Sequence, residues 1–501
     1  MGKHFKVNDN LCYTDNPHVK KNTFIGMTPQ DEELPKYEDI KDRLPKPIWE
    51  GHEDAIACYN KVWEIGFGNL RKPNAEAGFV SNFIDTAFNG YLFMWDSAFI
   101  AMFAKYASRI FDFQRTLDNF YSHQHRDGFI CREICEDEPG EQWTRDDPCS
   151  TGPNVLPWAE WVHFQSTGDM DRLSRVFDPL CAYHRWLHLN RTWQDGTYWS
   201  CGNACGMDNL PRIDPELDAE SAHGWMSWID VCAQQYLSAV TLVKMAEILG
   251  RQDETKWLER EAEQLKKLIN EQMWDEETGF YYDKRRDGSL SKVKTVAPFW
   301  LLICGILPED RLDRFVSHLD NENEFKRPNR VPALSMDHEY YQALFGYWQG
   351  GVWAPTNYMI LNGLSDNGYH RMAREIAMAY HTYVIEVFKQ TGTVFEYYSP
   401  ELPYNNSGKR DFVGWSGIGP VAVLFEYVFG IKGDAQKKRI TWRVECTEKH
   451  GISRYPLGDA TVELLCEARG CDEERPVITV KSDSPVTVEV IWQGESWEIT
   501  A

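Results

Sequence analysis

The sequence predicts a mainly helical chain, with helix hairpins closed into a toroid and a small antiparallel β domain after them. Three observations carry that expectation. Between about residues 46 and 432, long stretches place apolar residues at the three-to-four spacing of a helix. Along the same stretch a glycine turn followed by a short aromatic extended segment recurs, at Gly128, Gly196, Gly279 and Gly392. From about residue 436 the pattern becomes short, β-branched and largely alternating.

Residues 1–45 are polar, contain prolines and show weak periodicity, so they read as an arm lying over the main domain. Residues 46–433 form the helical domain in this reading. Ile229 to Leu249 carries Ile229, Ala233, Tyr236, Val240, Val243 and Ile248 on one stripe, and Gly250 stops the helix. Trp257 to Ile269 carries a second stripe through Leu258, Ala262 and Leu265. The gaps between successive glycine turns hold roughly two helices each with their loops. A single helical layer must bury its apolar stripe against another, so repeated hairpins favour a closed ring. Residues 434–501 form the β domain, with strands expected at 440–444, 460–465, 477–480 and 486–492 and a boundary at Gly433-Asp434.

Composition narrows the function. The formal net charge of −23 repels phosphate backbones and anionic lipid, so nucleic-acid and membrane partners are not expected. The opening Met1–Asp9 has no apolar run, Gly2 is not followed by the Ser or Thr of a myristoylation site, and no stretch is apolar enough to span a bilayer. Thirteen scattered cysteines then read as reduced thiols in a cytoplasm, and the sequons at Asn190 and Asn405 as chance matches. The chain has 20 Trp, 23 Tyr and 25 Phe. Rings in that quantity either fill a large core or line a site that grips the apolar faces of sugars.

Four motifs stand out. Gly206-Met207-Asp208-Asn209-Leu210-Pro211-Arg212 is a loop rich in backbone breakers. A carboxylate among its apolar neighbours would be desolvated, which raises its pKa and suits a general acid; the bland reading makes Asp208 a turn or cap residue. Phe395-Glu396-Tyr397-Tyr398 places Glu396 four residues after a recurring glycine. The same offset gives Arg132, Ser200 and Asp283, which would converge on one mouth if the units form a ring; the bland reading is a surface-strand glutamate. Glu401 is a competing acid beyond Pro400. Tyr91-Leu92-Phe93-Met94-Trp95-Asp96-Ser97 embeds one acid among large apolar residues, either as a helix cap or to accept hydrogen bonds from sugar hydroxyls above Trp95. Tyr347-Trp348-Gln349-Gly350-Gly351-Val352-Trp353, continuing to Asn357, joins stacking rings and amides around paired glycines, which favours a polar ligand over a plain core turn.

Other signals are weaker. Cys131/Cys135, Cys201/Cys205 and His123/His125 do not have standard zinc-ligand spacing, and no dinucleotide, P-loop or HExxH motif is present. The Gly414–Gly419 segment around Ser416 does not match a nucleophile elbow.

The ordered set Met94–Phe99, Gly206–Arg212, Met273–Asp283, Tyr347–Gly350 and Phe395–Tyr398 resembles the (α/α)6-barrel glycosidases of the mannosylglycerate/glucosylglycerate hydrolase type, in glycoside hydrolase family 63, and more distantly the family 37 trehalases. The resemblance covers roughly residues 85–430. It implies an inverting, exo-acting α-glycosidase on a small α-linked glycoside, with Asp208 as general acid and Glu396 as general base. Trp95 and Asp96 would lie in the sugar subsite and Trp348 and Gln349 would complete it. Tyr91, Arg212, Tyr347, Trp353, Asn357, Tyr397 and Trp415 join the expected substrate-binding set. An anionic Asp96 near the ring would also stabilise the positive charge of the transition state. Inverting carboxyl groups stand roughly 6.5–9.5 Å apart, with room for a water beside the base. This chemistry requires no cofactor or metal. The family often has Pro where this chain has Gly351. A sugar epimerase or isomerase using His223, His338 or His381, and a non-catalytic glycan-binding protein, are the alternatives. A monomer and a homo-oligomer are both compatible with the sequence.

Overall fold

The structure is a computed structural model that describes residues 15–86, 89–403 and 408–501. The sequon at Asn405 and the opening Met1–Asp9 lie outside the described residues.

Helices dominate up to residue 428. The longer ones are α1 (Glu53–Gly68), α2 (Met94–Ala104), α3 (Leu156–Thr167), α4 (Met170–Asn190), α5 (Ile229–Leu249), α6 (Lys256–Gln272), α7 (Ala354–Asp366) and α8 (His370–Thr391). α2 packs on α3, α3 on α5, α5 on the short helix Trp300–Cys304, and that helix on α7. α7 meets the helical turns of Trp415–Val428, which pack back on α2. The contacts therefore run in a circle. A second set lies outside it: α4 packs on α3, α6 on α5, and α8 on α7.

Position in this circle explains burial. α5 ends at Gly250, whose left-handed backbone (φ +68) closes the helix as the sequence predicts. Its buried residues include Asp230, Gln234, Gln235 and Ser238 as well as Ile229 and Ala233, while Tyr236, Val240 and Val243 are only partly buried. An inner helix touches neighbours on several sides, so one apolar stripe does not describe it. α6 lies outside and follows the simple rule: Leu258, Ala262, Leu265 and Ile269 are buried and the opposite face is solvated. The four recurring glycines all have positive φ. The segments after them pair locally, as Phe280–Tyr281 does with Trp274–Asp275.

The described part of the arm is pinned to this body. Asn16 donates to the carbonyls of Asp127 and Ala182, and Asn22 to that of Tyr121. Phe24 is fully buried.

The C-terminal strands build two four-stranded sheets. One runs in the order Lys46–Trp49, His450–Leu457, Ala460–Cys466, Ile478–Ser482; the other runs Glu495–Thr500, Thr487–Trp492, Arg439–Arg443, Ile431–Asp434. The sequence reading does not contain the strands Ile431–Asp434, His450–Leu457 and Glu495–Thr500, and its boundary at Gly433-Asp434 falls inside the first of them; two pairings also differ. Lys46–Trp49, far upstream, pairs with His450–Ser453. Thr487–Ile491 runs parallel to Arg439–Arg443, so the second sheet is not purely antiparallel. Both pairings join strands distant in sequence, where alternation marks a strand but not its partner. Among the described residues no helix is long and apolar enough to cross a membrane.

Candidate active site

Residues from seven segments enclose a cavity of about 260 Å³: Phe93–Asp96, Arg132–Glu133, Gly152–Pro153, the Asn203–Asp208 loop, Tyr347–Trp348, Glu396 and Trp415. It brings together Trp95, Asp96, Asp208, Tyr347, Trp348, Glu396 and Trp415, which the sequence scatters over more than 300 positions.

The Asp208 loop is held at both ends. Before it, Gly202–Cys205 forms one helical turn that closes on Gly206 at φ +72. A β-carbon at Gly206 would stand 3.3 Å from the Trp95 ring, so glycine lets the loop pass beneath that ring. After it, Asn209 ties the loop to the Tyr347 segment. Its Oδ1 accepts from the Trp348 amide (2.9 Å), its Nδ2 donates to the Gly346 carbonyl (3.1 Å), and its carbonyl accepts from Gln349 Nε2 (3.0 Å). Tyr347, itself at φ +55, donates its hydroxyl to Asp208 Oδ2 at 3.1 Å.

Glu396 sits on the segment that pairs with Arg410 through Phe395. Its Oε2 accepts from the Lys409 amide at 3.3 Å, and its carbonyl accepts from Trp415 Nε1 at 2.7 Å. Behind the cavity, Trp353 lies between two rings. It stacks on Trp348 at 3.9 Å, nearly parallel, and on Tyr397 at 4.6 Å. Trp353 thus supports the wall from behind. Gly351 donates its amide to the Tyr347 carbonyl at 2.9 Å, and a β-carbon there would stand 2.4 Å from that oxygen. Proline has neither that N–H nor that space, which accounts for glycine at this position.

The carboxyl groups differ in environment. Burial pushes Asp208 up to about 6, against the opposing Arg132 cation and the Tyr347 hydrogen bond. Burial raises Glu396 too, while the Lys409 amide and cation favour its ionised form. Asp96 is held well above the carboxylate range by burial and by the nearby charge of Glu396. Both influences act against the anionic Asp96 expected from the sequence. With Glu133 the wall carries four carboxyl groups against one cation, Arg132. Arg132 is itself fixed by Glu133 (2.6 Å) and the Cys149 carbonyl (2.8 Å).

Other expected residues sit elsewhere. Arg212 is buried between Asp230 and Asp283, with four nitrogen–oxygen contacts of 2.7–2.8 Å, and it lies over the Trp228 ring. Its donors are fully engaged, so it anchors the loop and offers no free donor to a ligand. Asn357 bridges Arg330 and Val331 through both ends of its amide. Tyr91 lies on a strand paired with Cys135, outside the cavity wall. Gln349 holds Asn209 and faces an adjoining groove. Asp96 is in the first turn of α2, not at its cap, which is Phe93. Of the four residues at the recurring offset, Arg132 and Glu396 reach the cavity, Asp283 pairs with Arg212, and Ser200 turns to the Cys201 carbonyl. Glu401 is bound by Arg327 and Tyr341 away from the site. His223, His338 and His381 are not among the residues of the cavity wall. Among the described residues, the three-ligand cluster with metal-like spacing is His18, Asp178 and Glu254, and Arg251 already pairs with both of its acids.

Asn203, Glu133 and Asn209 are site residues that the sequence reading passed over. Asn209 had a signal, since it sits inside the Gly206–Arg212 motif. Glu133 had none beyond its place next to Arg132.

Residues 90–416 match the family model of the mannosylglycerate hydrolase MGH1-like glycoside hydrolase domain. An uncharacterized protein of Borreliella burgdorferi is 24% identical over 388 residues, which cover 75% of this chain and 80% of that protein. A probable mannosyl-oligosaccharide glucosidase of Schizosaccharomyces pombe is 27% identical over 340 residues, 62% of this chain but only 39% of that longer protein. Among solved structures, the GH63 mannosylglycerate hydrolase from Thermus thermophilus in complex with glucose superposes with a TM-score of 0.59 at 19% identity, covering 72% of this chain and 99% of the other.

Proposed function

The chain belongs to the mannosylglycerate hydrolase MGH1-like glycoside hydrolase family, and from that premise we propose that it is an inverting, exo-acting α-glycosidase. Asp208 is the general acid and Glu396 the general base. The observation that carries this reading is one cavity lined by two carboxyl groups that burial pushes upward, Asp208 to about 6, with the Lys409 amide and cation opposing that push at Glu396.

Glu396 takes a proton from a water, whose oxygen bonds to the anomeric carbon from the face opposite the leaving group. The bond from that carbon to the glycosidic oxygen breaks, and Asp208 protonates the departing oxygen. Inversion needs space for a water beside Glu396, with the two carboxyl groups roughly 6.5–9.5 Å apart. Asp96 hydrogen-bonds a sugar hydroxyl, and Trp95, Trp348 and Trp415 supply apolar faces for the ring. A cavity of about 260 Å³ suits one sugar ring, which supports exo action.

The circle of helix contacts supports an (α/α)6 toroid. We divide the chain into an arm (1–45), a helical catalytic domain (46–433) and a β domain (434–501), with Lys46–Trp49 lent to the β sheet. We place the protein in the cytoplasm, acting on a small carbohydrate, as monomer or homo-oligomer, with no nucleic-acid or membrane partner. The test is a release assay over α-linked disaccharides and glycosylglycerates. Two products per turnover support hydrolysis; a mass-conserving product supports an epimerase, and binding without turnover supports a glycan-binding protein.

A further inference from the structure

Next to the catalytic cavity lies a groove of about 980 Å³, more than three times the cavity's 260 Å³. The two share a thin partition. Asp208 and Trp348 line the cavity, while their chain neighbours Asn209 and Gln349 line the groove and are hydrogen-bonded to one another. The proposed acid therefore stands at the border between the two spaces. A general acid protonates the departing oxygen, so the leaving group departs on the side of Asp208, whose chain neighbour Asn209 lines the groove.

The groove presents aromatic rings in a repeated way. Trp225 is 52% exposed and Tyr340 40% exposed, among the largest exposed apolar side chains of the described residues. Each follows a histidine by two residues, and in each case its backbone amide donates to that histidine's Nδ1, at 2.9 Å for Trp225 and 3.2 Å for Tyr340. Burial lowers the pKa of both His223 and His338, which keeps Nδ1 able to accept. His223 is in turn packed edge-on against Trp193 and Trp199. Trp225 is held at φ +52, a backbone region that a bulky residue enters only when its surroundings impose it. A tryptophan fixed in that conformation with its ring half in solvent is built to meet a flat partner.

Charge narrows the partner. Asp214, Glu216, Asp287 and Glu339 line the groove against Arg285 and Arg286, because Arg212 is neutralised by Asp230 and Asp283. An excess of acid disfavours an anionic leaving group such as a glycerate. Aromatic faces ringed by polar groups suit neutral sugars.

We propose that the groove binds the leaving-group side of the substrate, and that this side is a neutral oligosaccharide of two or more sugar units stacked on Trp225 and Tyr340. The inference rests on Asp208 being the general acid. The probes are the α-linked glucobioses and mannobioses, each beside the trisaccharide that adds one sugar at its reducing end, together with α-mannosyl-D-glycerate. The full chain is assayed as wild type, Trp225→Ala and Trp225→Tyr, with thermal melts to confirm folding. For the linkage that is cut, kcat/KM for the trisaccharide should exceed that for the disaccharide at least tenfold. Trp225→Ala should bring this ratio near one, and Trp225→Tyr should restore most of it. A ratio near one in the wild type, a ratio that survives in Trp225→Ala, or a preference for mannosylglycerate would overturn the inference while leaving hydrolysis intact. Cleavage of none of the probes would overturn the hydrolytic reading, and this inference with it.

Discussion

The hydroxyl of Tyr347 donates to Oδ2 of Asp208 at 3.1 Å, from a backbone held in the left-handed region at φ +55. A hydrogen bond to the carboxylate favours the ionised form, so Tyr347 tempers the upward push of burial. It also aims the carboxyl group, since the Tyr347 segment is bound to the neighbouring Asn209 at three points.

A working acid must be protonated, so activity should fall as pH rises through about 6, the raised value for Asp208. Tyr347→Phe removes a bond to the ionised form and leaves the acid protonated to higher pH. The alkaline limb of kcat/KM should move up by about one unit, as expected for a hydrogen bond to a charged group worth about 1.5 kcal/mol. Arg132→Met should move it the same way, because the Arg132 cation also favours the anion. A pH–rate profile of each variant decides this; a limb that moves down or stays fixed removes Asp208 from the acid role.

Asp208→Asn and Glu396→Gln should each lower kcat by about 100-fold or more with the fold intact by circular dichroism. Near-normal turnover in either purified variant would exclude that residue from the chemistry.

The same shift has a stability consequence. Asp208 binds its proton more tightly folded (about 6) than at its ordinary 3.8, so folding stability falls as pH rises between those values. Above pH 6 its ionisation weakens the fold by up to about 3 kcal/mol. Asp208→Asn should therefore melt higher than the wild type at pH 7, and the difference should vanish below about pH 4. Thermal melts across that range test both the sign and the window.

Gly206→Ala places a β-carbon 3.3 Å from the Trp95 ring on a backbone that resists it. The variant should lose about 1 kcal/mol of stability and, by tilting Trp95, raise KM more than it lowers kcat. A KM unchanged from the wild type would separate Trp95 from sugar binding.

Arg212→Met should act on stability first. It leaves Asp230 and Asp283 buried without their cation, at a cost of about 3–5 kcal/mol. Urea melts should show that loss; an equally stable but inactive variant would instead return Arg212 to the binding set.

These residues also show what a sequence discloses. The helical body was legible because glycine turns and apolar periodicity are local signals, and Gly250 ends its helix where they place it. Asp208, Glu396, Trp95 and Trp348 were legible because each stands in a short motif, and folding brings all four to one cavity. Arg212 stood in the same motif, yet its partners lie 18 and 71 residues away, and no local pattern announces a buried ion cluster. The upward push on Asp96 comes from its burial and from Glu396, which is far along the chain. The parallel pairing of Thr487–Ile491 with Arg439–Arg443 was hidden for the same reason. What the sequence withheld was in each case a relation between distant segments.

The central claim is a single displacement at the anomeric carbon, with Asp208 protonating the leaving oxygen and Glu396 activating water. The most direct test is ¹H NMR of the anomeric protons during the first minutes of cleavage of an α-linked substrate, before mutarotation. Inversion predicts that the β-anomer of the released sugar appears first and relaxes to the equilibrium mixture. First appearance of the α-anomer would contradict it.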